Sequence, residues 1–175
     1  MKNITLLLLL FSFSASAQLY DKFPFNDSGE IVYSSTIEVE GKLKEELYTS
    51  SKVFFANSFV SANDVIQMDD KDAGIIIGKG SENFRVLNGK TAVPVTLHFT
   101  LRIDIKGNRY SYAIYNLNFE NAGGKFSASD LFSKKKEIEY NAAKKSAQEI
   151  VNKYRDMTIS TTDKLIEDLK KEMEK

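Results

Sequence analysis

Between residues 95 and 105, apolar and polar side chains alternate without a fault. Val95, Leu97, Phe99, Leu101, Ile103 and Ile105 form one set, and Thr96, His98, Thr100, Arg102 and Asp104 interleave with them. A period of two puts each set on its own face of a β-strand, so this strand is packed on one side and wet on the other. Lys106-Gly107-Asn108 has the chemistry of a hairpin turn, and residues 109–119 return as the partner strand. Nearer the N-terminus, Phe23-Pro24-Phe25 and Asn26-Asp27-Ser28-Gly29 read as an extended entry and a turn. Residues 31–39 then alternate, with Ile31, Tyr33, Ile37 and Val39 on one face. Short strands at 65–68 and 73–77 flank a polar turn at Asp69-Asp70-Lys71-Asp72. Gly78-Lys79-Gly80-Ser81 reads as a bend or bulge between two pieces of one strand that resumes over 84–87.

Helical spacing governs two other stretches. From Lys42, Leu43, Leu47, Phe54 and Phe55 fall near one stripe, with Lys44, Glu45, Glu46 and Lys52 largely off it; this helix fades near Val60. Residues 121–133 read as a small-residue, polar linker. Residues 137–155 are helical again, with a stripe that includes Ile138, Ala142, Ile150, Val151 and Tyr154. Ser160-Thr161-Thr162-Asp163 has capping-box spacing, which predicts a separate last helix carrying Leu165, Leu169 and Met173. The order strand, helix, several antiparallel strands, helix predicts an α+β fold: a curved antiparallel sheet with both main helices on one face and the other face open. The expected domain runs over residues 18–155, and residues 156–175 form a C-terminal helical extension.

The N-terminus changes the expected compartment. Lys2, an apolar run over residues 4–13 and Ser14-Ala15-Ser16-Ala17 are the three parts of a secretory signal, with cleavage after Ala17. The run is about half of the roughly 20 apolar residues that a spanning helix needs. The mature chain is therefore expected in the periplasm or outside the cell. There is no cysteine, so neither a lipid anchor at Gln18 nor a disulfide is expected, and stability must come from the core. With 24 basic and 24 acidic residues, the chain lacks the basic excess of a nucleic-acid binder.

A family resemblance rests on specific residues. Phe23-Pro24 followed by Gly29-Glu30-Ile31, the Leu47-Tyr48 helix ending in an aromatic pair, and the stretch from Val65 through Asp69-Asp70-Lys71-Asp72 to Gly78-Lys79-Gly80 are the residues concerned. In these the chain resembles a bacterial exported domain of unknown function whose fold is similar to that of the TATA-box-binding protein. The resemblance covers residues 23–119 and leaves out the tail after residue 133. It implies the fold and export, and it brings no catalytic residues; such a sheet does not in itself imply DNA binding.

No constellation of reactive residues stands out. Gly74 to Ser81 fails the Walker pattern, because three residues rather than four precede Gly78-Lys79 and Gly80 follows. Asp69, Asp70 and Asp72, with Lys71 among them, suit a hairpin turn better than a calcium loop. His98 is the only histidine and lies on the polar phase of its strand, without partners for a triad or a zinc site. Nothing singles out a carboxylate pair for glycoside hydrolysis. Lys134, Lys135, Lys136, Lys144 and Lys145 interleave with acids and read as a solvated helix face, not a membrane surface. No catalytic residue, cofactor or metal is therefore expected.

The sharper expectation concerns the open sheet face. If the turn at Gly107 pairs Ile105 with Tyr110, the register carries Tyr115, Leu117 and Phe119 to the uncovered side beside Thr96, His98, Thr100 and Arg102. The competing expectation is a bulge near Tyr115 that reverses that phase, or else coverage of the face by the 121–133 linker or the C-terminal tail. The expected function is a non-catalytic binding or interaction module, taking an unknown protein or small ligand of the cell envelope on this face. The alternatives are a hydrolase-type enzyme whose carboxylate site only folding assembles, and a structural component of an envelope complex that docks through 156–175.

Overall fold

The structure, a computed structural model, describes residues 20–175. The signal segment expected over residues 1–17 lies outside the described residues. A single 3-10 turn (Tyr20–Lys22) leads to strand β1 (Tyr33–Glu38), helix α1 (Lys44–Ser58) and a short helix α2 (Ala62–Val65). Strands β2 (Ile66–Asp70), β3 (Ile75–Asn88), β4 (Thr91–Lys106), β5 (Arg109–Asn121) and β6 (Gly124–Ser127) follow. Helices α3 (Ala128–Leu131), α4 (Lys134–Ala142) and α5 (Lys145–Met173) complete the chain. The six strands form one sheet of order β1-β5-β4-β3-β2, with β6 also paired to β5, and every pairing is antiparallel.

The strict alternation of β4 does what its period requires. Val95, Leu97, Phe99, Leu101, Ile103 and Ile105 are all buried. Helices α1 and α5 lie against that face and against each other. Leu47, Phe54 and Phe55 of α1 and Tyr154, Leu169 and Met173 of α5 close the core from the helix side. At one end, Phe23 stacks on Phe132 with ring centroids 4.4 Å apart, and Phe119 meets Tyr154 edge-on at 4.7 Å. The β4–β5 turn is a hairpin, as expected, and its loop has two residues, with Gly107 at φ 62° and Lys106 opposite Arg109.

Several sequence expectations are corrected. The glycines at 78 and 80 do not bend the chain: β3 is one strand in unbroken register with β4 from Ile75 to Asn88. They clear space for rings. A Cβ on Gly78 would collide with Phe55, and one on Gly80 would come within 2.6 Å of Phe59. The 121–133 segment is not a linker, since it supplies β6, α3 and the buried Phe132. The capping box at Ser160 does not form, because residues 160–163 lie inside α5 and Ser160 Oγ donates to the Met157 carbonyl, 3.1 Å. The chain breaks between α4 and α5 instead, where Gln148 Nε2 donates to the Tyr140 carbonyl, 2.9 Å. Residues 156–175 are therefore the second half of a core helix and no free extension; Thr158, Thr162 and Met173 there are fully buried.

Candidate functional site

The face of the sheet turned away from α1 and α5 is built by the polar phase of β4 and its neighbours. Thr96, His98, Arg102 and Asp104 stand there half-exposed. Each has a cross-strand partner on β5: Thr96 faces Glu120, His98 faces Asn118, Arg102 faces Ala113 and Asp104 faces Ser111. On the other flank, β3 brings Ile77 beside Arg102 and Ile75 beside Asp104. The next strand adds Met68 opposite Ile77, and Met68 is 41 % exposed.

Two of the cations on this face are paired with carboxylates. The Arg102 guanidinium forks onto the Asp104 carboxylate through Nε and Nη2, both at 2.7 Å. That bidentate hydrogen bond raises the guanidinium's pKa. His98 Nε2 donates to Glu120 Oε2 at 2.8 Å, and Lys125 Nζ lies 3.1 Å from the same oxygen. The Glu120 carboxyl is held below the usual carboxylate range, first by Lys125 and then by His98. Thr36 Oγ1 and Ser111 Oγ share a hydrogen bond of 2.7 Å beside an open polar depression of about 390 Å³, which Asp104, Lys106 and Arg109 also line.

A β-bulge decides the aromatic part of the face. Between the pairs His98–Asn118 and Thr100–Tyr115, β4 has one residue and β5 has two. Asn116, one of those two, sits at φ 55°, in the left-handed region that asparagine tolerates better than most residues. The extra residue reverses the phase of β5. Tyr115 stays on the open side, half-exposed and within electrostatic reach of Arg102. Leu117 and Phe119 turn into the core at 2 % and 0 % exposure. They are thus not contact residues, contrary to the register extrapolated from the turn. Thr100 keeps the outward phase, but its neighbours cover it, leaving 5 % exposed, so it offers no contact surface either.

Of the seven residues that sequence pattern placed on this face, the structure brings together Thr96, His98, Arg102 and Tyr115 at the surface. Sequence reading missed Asp104, which lies in the same phase of β4, and Ile75, Ile77 and Met68. The last three join the face only through the β2–β3–β4 pairing register, which no local pattern encodes. Among the described residues, no group of three or more histidines or acids is placed to hold a metal ion, and no helix is long and apolar enough to cross a membrane. Asp69, expected in a turn, lies within β2 on the helix side, where it accepts from Tyr48 Oη and pairs with Lys52.

Residues 33–120 match the sequence model of a domain of unknown function (DUF4468) with TBP-like fold. The chain is similar in structure to a DUF4468 family protein from Bacteroides ovatus, with a TM-score of 0.68 and 17 % identity over 89 % of this chain and 92 % of that one. It is also similar to a TBP-like protein from Parabacteroides distasonis, with a TM-score of 0.61 and 15 % identity over 85 % of this chain and 97 % of that one. No curated protein matches it.

Proposed function

Since the chain belongs to the DUF4468 family of domains of unknown function with a TBP-like fold, we propose that it is an exported, non-catalytic binding module of the cell envelope that takes a protein partner on its open sheet face. The observation that carries this reading is the centre of that face. There Tyr115 and Arg102 stand together, flanked by Met68, Ile75 and Ile77. Tyrosine, arginine and methionine are enriched in protein–protein interfaces, and aromatic and arginine anchors contribute most of the binding energy in them. A partner that is itself a protein also suits the matched charges. Arg102 and His98 each already face a carboxylate. Export rests on the signal pattern of residues 1–17.

The test is site-specific photo-crosslinking in the native cells. A benzophenone side chain at position 115 is expected to give one discrete protein adduct, whereas the same probe at Glu149, exposed on α5, gives none. Arg102→Glu is expected to abolish the adduct at 115. Equal adducts from both positions, no adduct from 115, or an adduct that survives Arg102→Glu would each remove the proposal.

A further inference from the structure

Strand β3 carries one residue that violates its own pattern. Its helix-facing phase runs Ile76, Gly78, Gly80, Glu82, Phe84, Val86, so a carboxylate stands where every neighbour is apolar or glycine. Glu82 lies opposite Leu97, which is fully buried on the same side of the sheet. The helices do not close over it. α1 ends at Ser58, and Phe59 is extended, with its ring laid over Gly80. Across the gap, α5 presents Ser160 and Thr161 in place of large apolar side chains.

The result is a cleft of about 350 Å³ between the end of α1, β3 and α5, within the size range of small-molecule sites. Phe59, Phe84, Phe99 and Leu165 form its apolar wall, and Val60 is fully exposed in its lining. Its ionisable groups are Glu82, Lys164 and Asp168. Lys164 is taken up by an ion pair with Asp168 one helical turn on. Glu82 forms no hydrogen bond or ion pair among the described residues and meets the Lys164 charge only at longer range. The local field is negative: the Lys164 ammonium is held above its usual range first by Asp168, with Glu82 and Glu167 adding to the effect.

We infer that this cleft is a second ligand site, on the opposite side of the sheet from the protein-binding face, and that it takes small amphipathic monocations: an apolar tail against the phenylalanine rings and an ammonium at Glu82. Phenyl faces attract cations as well as alkyl groups, so wall and carboxylate select the same ligand.

The test compares three probes of equal length: octylammonium, octanol and octanoate. Binding is followed by NMR of the phenylalanine ring signals of the mature protein. Octylammonium is expected to give saturable shifts at Phe59 and Phe84, with octanol weaker and octanoate weakest. Glu82→Gln is expected to weaken octylammonium by about tenfold while leaving octanol unchanged. Ser160→Trp, which fills the cleft from an exposed position, is expected to abolish the shifts. Tighter binding of octanoate than of octylammonium would assign the cleft to anions through Lys164 and overturn the inference. An unchanged affinity in Glu82→Gln, or no saturable shift with any probe, would overturn it too. Thermal midpoints of both variants verify that they are folded; should Ser160→Trp unfold the chain, Glu82→Gln alone decides.

Discussion

A methyl group at Gly80 would stand 2.5 Å from Cζ of Phe99 and 2.6 Å from Cε1 of Phe59. A ring must shift to make room: Phe99 is buried, and Phe59 packs against Phe54 and Phe55 with ring centroids 6.3 and 5.7 Å away. Gly80→Ala is therefore expected to cost about 1–3 kcal/mol by overpacking, read from urea denaturation. A bend that needed only glycine's flexibility would give no such clash, so an unchanged midpoint would refute this account. Asp69 provides a titration signal. The hydrogen bond from Lys52, and then that from Tyr48, pull its carboxyl below the usual range, and the Tyr48 phenol is pushed up to about 12 by burial and by Asp69. A carboxyl whose folded pKa is depressed adds stability that is complete above its unfolded pKa, about 3.9. That stability is lost as pH falls through the lower, folded pKa. Asp69→Asn is expected to cost less than about 1 kcal/mol at neutral pH, because the pair is partly exposed and screened. It should also flatten the fall in thermal midpoint below pH 4; an equally steep acid limb in the variant would refute the assignment.

Helix α5 shows where element-scale reading of the chain succeeds and where it stops. Its helical character and its apolar positions at Tyr154, Leu165, Leu169 and Met173 can be read directly from spacing. Its continuity cannot, because the middle of the buried stripe is made of Thr158, Thr161 and Thr162. Threonine counts as polar in a pattern, yet here Thr158 and Thr162 return their hydroxyls to the carbonyls of Tyr154 and Thr158, both at 2.9 Å, and present methyl groups to the core. The same residues imitate a capping sequence. Ser160→Pro separates the two arrangements. Inside a helix, proline removes a hydrogen bond and clashes with the preceding turn, so a loss of about 3 kcal/mol or more is expected by chemical denaturation. A loop at 156–160 would tolerate it. In β5 the equivalent gap is Asn116. Alternation on both sides of it is plain in the sequence, but the one-residue change of phase is set by pairing with β4, and Leu117 and Phe119 change sides with it.

At the scale of the whole molecule, the sheet separates two surfaces of different chemistry. One is the uncovered face centred on Arg102 and Tyr115, with mixed charge and a small apolar flank. The other is the cleft at Glu82, closed on three sides by α1, β3 and α5. The sheet itself lies between them, and among the described residues no hydrogen bond or ion pair links Glu82 to Arg102 or Tyr115. The two sites should therefore act independently. Arg102→Glu is expected to leave octylammonium affinity unchanged, and Glu82→Gln to leave the crosslink from position 115 intact. Substantial cross-effects in either direction would show that the sheet transmits strain.

Local periodicity was enough to establish an α+β chain with a half-wet antiparallel sheet, two amphipathic helices and a hairpin at Gly107. Each of these follows from the two- or nearly four-residue repeat of the backbone, which any short window of sequence displays. Strand order, the bulge at Asn116, the burial of three threonines and the opening at Glu82 were settled only by tertiary packing. They depend on which distant segment lies opposite: Phe99 with Gly80, and Tyr115 with Thr100. A contact between residues far apart in the chain leaves no repeat for the sequence to show.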